Sequence, residues 1–264
     1  MTEPEVDVPP VRLVRSGGVA TVVLDRPGRR NALDLKGFRL LREVIREIES
    51  DPGIRAAVIT GAGGTFCSGA DLQAVRGAHP LDRMREINEA ASVLGNCSKP
   101  LVAHVDGYAV GAGWNIALLC DLVVATPEAR FAQIFAERGL SIDFGGSWVL
   151  PRVVGPQQAK RLTMLAETID AEEALRLGAV TWVVERDRID AFVGDLASRL
   201  AAGPPVALAQ SKQLLDRGPH RTLRESLDAE ASAVVVNFGT DAPEAVAAFV
   251  GKREPVFEGR WIAR

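Results

Sequence analysis

A mixed α/β fold built on a largely parallel sheet is predicted by three features of the 264-residue chain. Short β-branched runs alternate with segments of helical periodicity through the first two thirds, glycine-rich turns follow several of those runs, and from about Pro204 onward the pattern is helical. The chain is 47% hydrophobic, so it can bury a substantial core without disulfides.

Val11 to Arg15 and Val19 to Asp25 read as a hairpin turning through Gly17-Gly18, because β-branched runs flank a turn signal. Asn31 to Glu49 places Leu33, Phe38, Leu41, Val44, Ile45 and Ile48 at helical spacing. Ala56 to Thr60, Leu101 to Val105 and Asp121 to Ala125 read as short buried strands, each followed by turn residues and a helix, which implies crossover connections. The last helix is expected over Pro243 to Val250, with the proline in its first turn. No long linker or repeat interrupts the chain. Residues 1–200 are therefore expected to form the core and 201–264 a helical region of the same integrated domain.

Composition removes several functions. The net charge is -3 and no basic stripe follows the chain, which argues against a nucleic-acid partner. Cys67, Cys97 and Cys120 lack paired or zinc-type spacing, and His79, His104 and His220 are far apart, so no metal site is expected and the thiols read as buried and structural. The acidic, proline-rich N-terminus is unlike a signal sequence and no run of 18 apolar residues occurs, so a cytoplasmic chain with no membrane partner is expected. The turn Gly61-Ala62-Gly63-Gly64-Thr65-Phe66 fails the dinucleotide fingerprint at Phe66, and no P-loop is present.

Two other loops carry a different signal. Phe66-Cys67-Ser68-Gly69-Ala70-Asp71-Leu72 and Asp106-Gly107-Tyr108-Ala109-Val110-Gly111-Ala112-Gly113 set small residues where a strand gives way to a loop and a helix. Two backbone N–H groups from such loops can converge on one oxygen, as an oxyanion hole for a thioester enolate requires. With Leu24-Asp25-Arg26-Pro27, Asn31-Ala32-Leu33 and Ala247-Ala248-Phe249-Val250, these motifs stand in the order and spacing of the crotonase (enoyl-CoA hydratase/isomerase) superfamily, which the chain resembles over nearly its whole length.

That resemblance implies a spiral of ββα units with a C-terminal helical region, assembled as trimers or pairs of trimers, and an acyl-CoA substrate of the kind met in fatty acid metabolism. Coenzyme A would enter as part of the substrate, with no separate cofactor. The oxyanion donors would be the N–H groups of Ala70 and Ala112. Coenzyme A would follow the backbone of Ser68, Ala70, Asp71, Leu72 and Gln73, with Ala32 nearby and Arg29 or Arg30 near phosphate, and Lys252 would reach a neighbouring subunit's coenzyme A. Trp114, Phe135 and Trp148 would line an apolar acyl site. Tyr108 reads as structural.

The acid/base groups separate the possible reactions. Hydratases of the family use two glutamates, and the matching positions here hold Asn115 and Phe135, neither of which can exchange a proton with water. The nearest carboxylate is Asp143, within Ile142-Asp143-Phe144-Gly145-Gly146-Ser147-Trp148. It has two readings: N-cap of a helix starting near Gly145, or the base that relatives such as the ring-epoxide phenylacetyl-CoA isomerases and the Δ3,Δ2-enoyl-CoA isomerases carry there. In chlorobenzoyl-CoA dehalogenases the same position is the nucleophile. Glu137 and Arg138 read as a solvated helix face with a local ion pair. The expected activity is double-bond migration in an enoyl-CoA. The alternatives are hydration or another acyl-CoA transformation using Asp143, and acyl-CoA binding without turnover.

Overall fold

The computed structural model describes residues 9–74 and 79–262, so the N-terminal segment of residues 1–8 lies outside it. The elements in chain order are β1 (Val11–Ser16), β2 (Val19–Leu24), α1 (Leu35–Ser50), β3 (Ala56–Gly61), α2 (Pro80–Gly95), β4 (Leu101–Val105), β5 (Tyr108–Val110), α3 (Ala112–Leu118), β6 (Leu122–Ala125) and β7 (Arg130–Ala132). They continue as α4 (Gly146–Leu165), β8 (Thr168–Asp170), α5 (Ala171–Arg176), β9 (Trp182–Val183), α6 (Ile189–Ala202), α7 (Pro205–Arg217), α8 (Leu223–Phe238) and α9 (Ala242–Gly251).

The hairpin pairs Val11 with Leu24 and Ser16 with Val19. From β2 the main sheet runs β3, β4, β6 and β9, every one parallel to its neighbour. A parallel sheet must be covered on both faces, and alternate residues along the strands divide accordingly. Ala57 and Ile59 join the cluster that holds Phe38, Leu41 and Ile45 of α1, while Val58, Val102 and Val124 meet Ile189, Val193 and Ala197 of α6. Each fully buried large apolar side chain contributes roughly 1.5–3 kcal/mol. The three cysteine thiols are free and buried, and burial pushes Cys67 up to about 12 and Cys97 up to about 11, which keeps them protonated and unreactive at neutral pH.

Two expectations need correction. The first long helix starts at Leu35, capped by Asp34, whose carboxylate accepts from the Gly37 N–H at 2.8 Å. Residues 31–34 are not helical, because Asn31 takes a left-handed φ of 56° and Leu33 pairs with Ala70 in an isolated parallel bridge. Further on, β6 leads not to a helix but to β7, which joins β5 and β8 in a second, three-stranded sheet. Strands of three residues are too short to show a period of two in the sequence.

The last three helices behave differently from the rest. Neither α7 nor α8 buries a single residue, although Leu215, Leu223, Val235 and Phe238 are apolar, and Phe249 of α9 is 86% exposed. The tail after α9 is nevertheless held to the core, because the Arg55 guanidinium donates to the carbonyls of Phe257 at 2.7 Å and Gly203 at 2.8 Å. Among the described residues, no single helix is long and apolar enough to cross a membrane.

Candidate active site

The two small-residue loops are laced together. Cys67 N–H donates to the Tyr108 carbonyl and Val110 N–H to the Cys67 carbonyl, both at 2.9 Å, so Cys67 and Ala109 form a parallel bridge. Gly69 lies with φ +92° so close to the second loop that an added Cβ would stand 2.7 Å from the Val110 carbonyl and 3.4 Å from the Ala112 nitrogen. The residue after it, Ala70, is thereby set beside the start of α3. Ala112 is the first helical residue of α3, so its N–H has no partner within the helix. Neither the Ala70 nor the Ala112 N–H has an acceptor among the described residues. Ala112 has helical backbone angles that admit a Cβ, while the turn before it needs Gly111, at φ 55° and ψ -124°. Alanine at this position therefore keeps its N–H without backbone strain.

Asp143 sits in the turn before α4, and its placement removes the first of its two readings. The N-cap of α4 is Gly145, and no side chain caps that helix. Asp143 contributes its backbone carbonyl instead, which accepts from Gly146 N–H at 2.9 Å and from the Asn115 side-chain amide at 2.9 Å. Its carboxylate has no hydrogen-bond or ion-pair partner among the described residues, and Oδ1 is fully buried. Burial without compensation raises its pKa from the ordinary 3.8 to about 6. The capping expectation is therefore not met, and what remains is a desolvated, unpartnered carboxyl.

Asn115 ties the backbone of this residue to the helix that follows the second loop. It is buried one helical turn after Ala112, about 4.5 Å along the axis of α3 at 1.5 Å per residue. Phe135, at the second glutamate position, is buried with its ring against Gly111, so that an added Cβ there would lie 3.5 Å from its Cζ. Glu137 and Arg138 fall in an exposed 3-10 turn, and no ion pair joins them among the described residues.

The other two aromatic candidates are separated from this point. Trp114 has no accessible surface and packs on Phe131, ring centroids 5.5 Å apart, which makes it core and corrects its assignment to an acyl pocket. Trp148 is 44% exposed under the Arg152 guanidinium and lines two cavities of about 460 and 530 Å³ between α2, α4 and α7. Gly145 borders the smaller one, and neither is lined by Ala70, Ala112 or Asp143.

Around the first loop, Arg29 bonds Gln73 through their side chains and Ser68 Oγ donates to the Arg29 carbonyl at 3.3 Å. Arg30 stacks over Tyr108 at 5.8 Å, and the Ala32 carbonyl accepts from Arg26 Nη1 at 2.7 Å. Leu72 is exposed in the 3-10 turn that follows. Asp71 is committed to structure: its carboxylate pairs with Arg26 at 3.2 Å and its N–H donates to the Leu33 carbonyl at 2.8 Å. Lys252 caps the end of α9 in a left-handed conformation, exposed, and no hydrogen bond or ion pair joins it to the other candidates among the described residues.

Sequence reasoning missed the part played by Asn31. Its side-chain amide donates to the carbonyls of Ala62 at 2.9 Å and Thr65 at 2.6 Å, and its oxygen accepts from Arg26 N–H at 2.9 Å, so one buried residue fixes the turn that leads into the first loop. The available signal was an asparagine, tolerant of the left-handed region, after Arg-Pro-Gly-Arg-Arg.

A mixed α/β fold with two interlocked loops, each leaving an N–H without an acceptor among the described residues, and a partly buried carboxyl whose backbone is tied through Asn115 to the helix of the second loop, is an enzyme scaffold of the crotonase type. The family model for enoyl-CoA hydratase/isomerase matches residues 14–260, and the chain belongs to that family. It is 35% identical over 254 residues to a short-chain-enoyl-CoA hydratase of Clostridium acetobutylicum, covering 92% of this chain and 95% of that one. A 1,2-epoxyphenylacetyl-CoA isomerase of Escherichia coli K12 is 34% identical over 252 residues, at 92% and 96% coverage. Among solved structures, an enoyl-CoA hydratase from Polaromonas sp. JS666 superposes with a TM-score of 0.87 at 34% identity, covering 93% and 98% of the two chains.

Proposed function

We propose that this enzyme moves a double bond within an enoyl-CoA, from the 3,4 to the 2,3 position. The observation that carries the reading is the Asp143 carboxyl, its Oδ1 buried and without a partner among the described residues, on a backbone tied through Asn115 to the helix that offers the Ala112 N–H.

In this reading the Asp143 carboxylate takes a proton from C2 of a 3-enoyl thioester, and the C2–H electron pair moves into a dienolate. The thioester oxygen gains negative charge and accepts hydrogen bonds from Ala70 and Ala112, each worth on the order of 3 kcal/mol in the transition state. The same carboxyl returns the proton at C4, so the double bond shifts and no water is consumed. A carboxyl with a pKa of about 6 is mostly ionised at neutral pH and is a stronger base than an ordinary aspartate. Family hydratases share the work between two glutamates. Asn115 and Phe135 leave one carboxyl here, enough for a shuttle, and the buried phenyl ring favours a dry site.

Coenzyme A enters as part of the substrate along Ser68 to Gln73, with Arg29 or Arg30 meeting phosphate. The apolar side chains exposed on α7, α8 and α9 support a trimer or a pair of trimers, in which Lys252 serves a neighbouring subunit's coenzyme A. A second reading, hydration through Asp143 and an ordered water, is favoured by the name of the Clostridium relative. Incubating the protein with 3-enoyl-CoA and 2-enoyl-CoA thioesters of several lengths separates the outcomes. Isomerised 3-enoyl substrate with no hydrated product is expected. Hydration of 2-enoyl substrate alone, or binding with no turnover, would overturn the proposal.

A further inference from the structure

Asn115 is fully buried and hydrogen-bonded through its N–H and both ends of its side-chain amide. Its N–H donates to the Gly111 carbonyl at 3.1 Å, its Nδ2 donates to the Asp143 carbonyl at 2.9 Å, and its Oδ1 accepts from Gln133 Nε2 at 2.8 Å. Gln133 is fully buried just after β7, and the preceding carbonyl, Ala132, accepts from the Gly111 N–H at 2.8 Å. Gly111, Asn115 and the 132–133 backbone therefore close a ring around the turn that presents the Ala112 N–H, and Asp143 hangs from that ring by its carbonyl.

The chemistry of the ring requires amides. Asn115 must donate on one side and accept on the other, which neither a carboxylate nor an alkyl group can do. Gln133 decides the orientation: by donating to Oδ1 it turns Nδ2 toward Asp143. Room for that contact depends on Gly146, where an added Cβ would lie 2.4 Å from Nδ2. The arrangement is not one that stability alone selects, because Gln133 Oε1 is buried without a partner among the described residues, and an unpaired buried acceptor is destabilising. Asp143, for its part, has no side-chain bond to fix its carboxylate among the described residues, so its aim depends on how its backbone is held.

We propose that Asn115 and Gln133 are positioning residues: Gln133 orients the Asn115 amide, and that amide holds the backbone of Asp143 in register with the oxyanion N–H of Ala112. The proposal rests on Asp143 being the proton shuttle. Misplacing a reacting group by about 1 Å can lower a rate on the order of 100-fold.

The test compares Asn115→Ala, Gln133→Leu and Asp143→Asn, and each of the first two combined with the third, by kcat, KM and melting temperature on a 3-enoyl-CoA. Expected is a fall in kcat of about 10-fold or more for Asn115→Ala and Gln133→Leu, with KM changed less than about 3-fold. Gln133→Leu deletes one buried orphan acceptor and leaves another, Asn115 Oδ1, so its melting temperature should lie close to the parent's while kcat falls, and a merely structural role would show the reverse pattern of lower melting and intact kcat. In the Asp143→Asn background neither substitution should lower the residual rate further. Folded Gln133→Leu with parental kcat, beside an inactive Asp143→Asn, would overturn the positioning role alone. Near-parental kcat in Asp143→Asn would instead overturn the shuttle on which it rests. If Asn115→Ala fails to fold, Gln133→Leu still decides the question.

Discussion

Replacing Asp143 by asparagine separates chemistry from stability. Among the described residues the carboxyl makes no hydrogen bond and caps no helix, so the isosteric amide loses no contact there. Its folded-state pKa, about 6, lies above the ordinary 3.8, so the folded chain holds this proton more tightly than the unfolded chain. The carboxyl therefore costs nothing below about pH 4, becomes destabilising as pH rises to about 6, and reaches a plateau above that. At 1.36 kcal/mol per unit, the plateau is about 3 kcal/mol as an upper bound. Asparagine is neutral throughout. Asp143→Asn should match the parent in stability near pH 4 and exceed it at pH 8, by several degrees in melting temperature. Turnover of 3-enoyl-CoA at pH 8 should fall by roughly 100-fold or more while affinity for the thioester stays similar. Calorimetric melting at the two pH values and a continuous isomerase assay measure both. Parental turnover, or a loss of about 1 kcal/mol equal at both pH values, as a missing cap would give, would refute the reasoning.

In the parent enzyme, kcat should rise with pH through about 6 as Asp143 ionises, and a pH profile flat between 5 and 7 would count against it. Ala112→Pro should fold, because proline is tolerated at a first helical position, yet lose roughly 100- to 1,000-fold in kcat with the N–H it deletes; circular dichroism and the same assay check both parts. Gly113→Ala puts a Cβ 2.2 Å from the Cys67 carbonyl and should lower both melting temperature and activity by wedging the two loops apart. Phe249→Glu, at an exposed apolar position on α9, should shift sedimentation from a trimer-sized species toward the monomer.

Much of the sheet was legible because strands buried on both faces, such as Ala56–Gly61 and Leu101–Val105, are continuous apolar runs that need no partner to be recognised. The two loops were legible because small residues mark close backbone approach. The rest depended on tertiary placement. The cap reading of Asp143 falls away only when Gly145 is seen to hold the cap position. Trp114, next to a loop glycine in sequence, is turned by the helical period into the core against Phe131. Gln133 carries no local signal at all, since its amide acquires meaning only when β7 brings it to Asn115 across 18 residues. The start of α1 was misplaced because Leu33 fits the helical spacing while serving a bridge to Ala70.

The central claim is that one carboxyl moves a proton and water takes no part. Incubating the wild-type enzyme with a 3-enoyl-CoA in oxygen-18 water, followed by mass spectrometry of the acyl product, tests this most directly. The account predicts a 2-enoyl thioester of unchanged mass with no oxygen-18. A 3-hydroxyacyl thioester carrying oxygen-18 as the main product would contradict it.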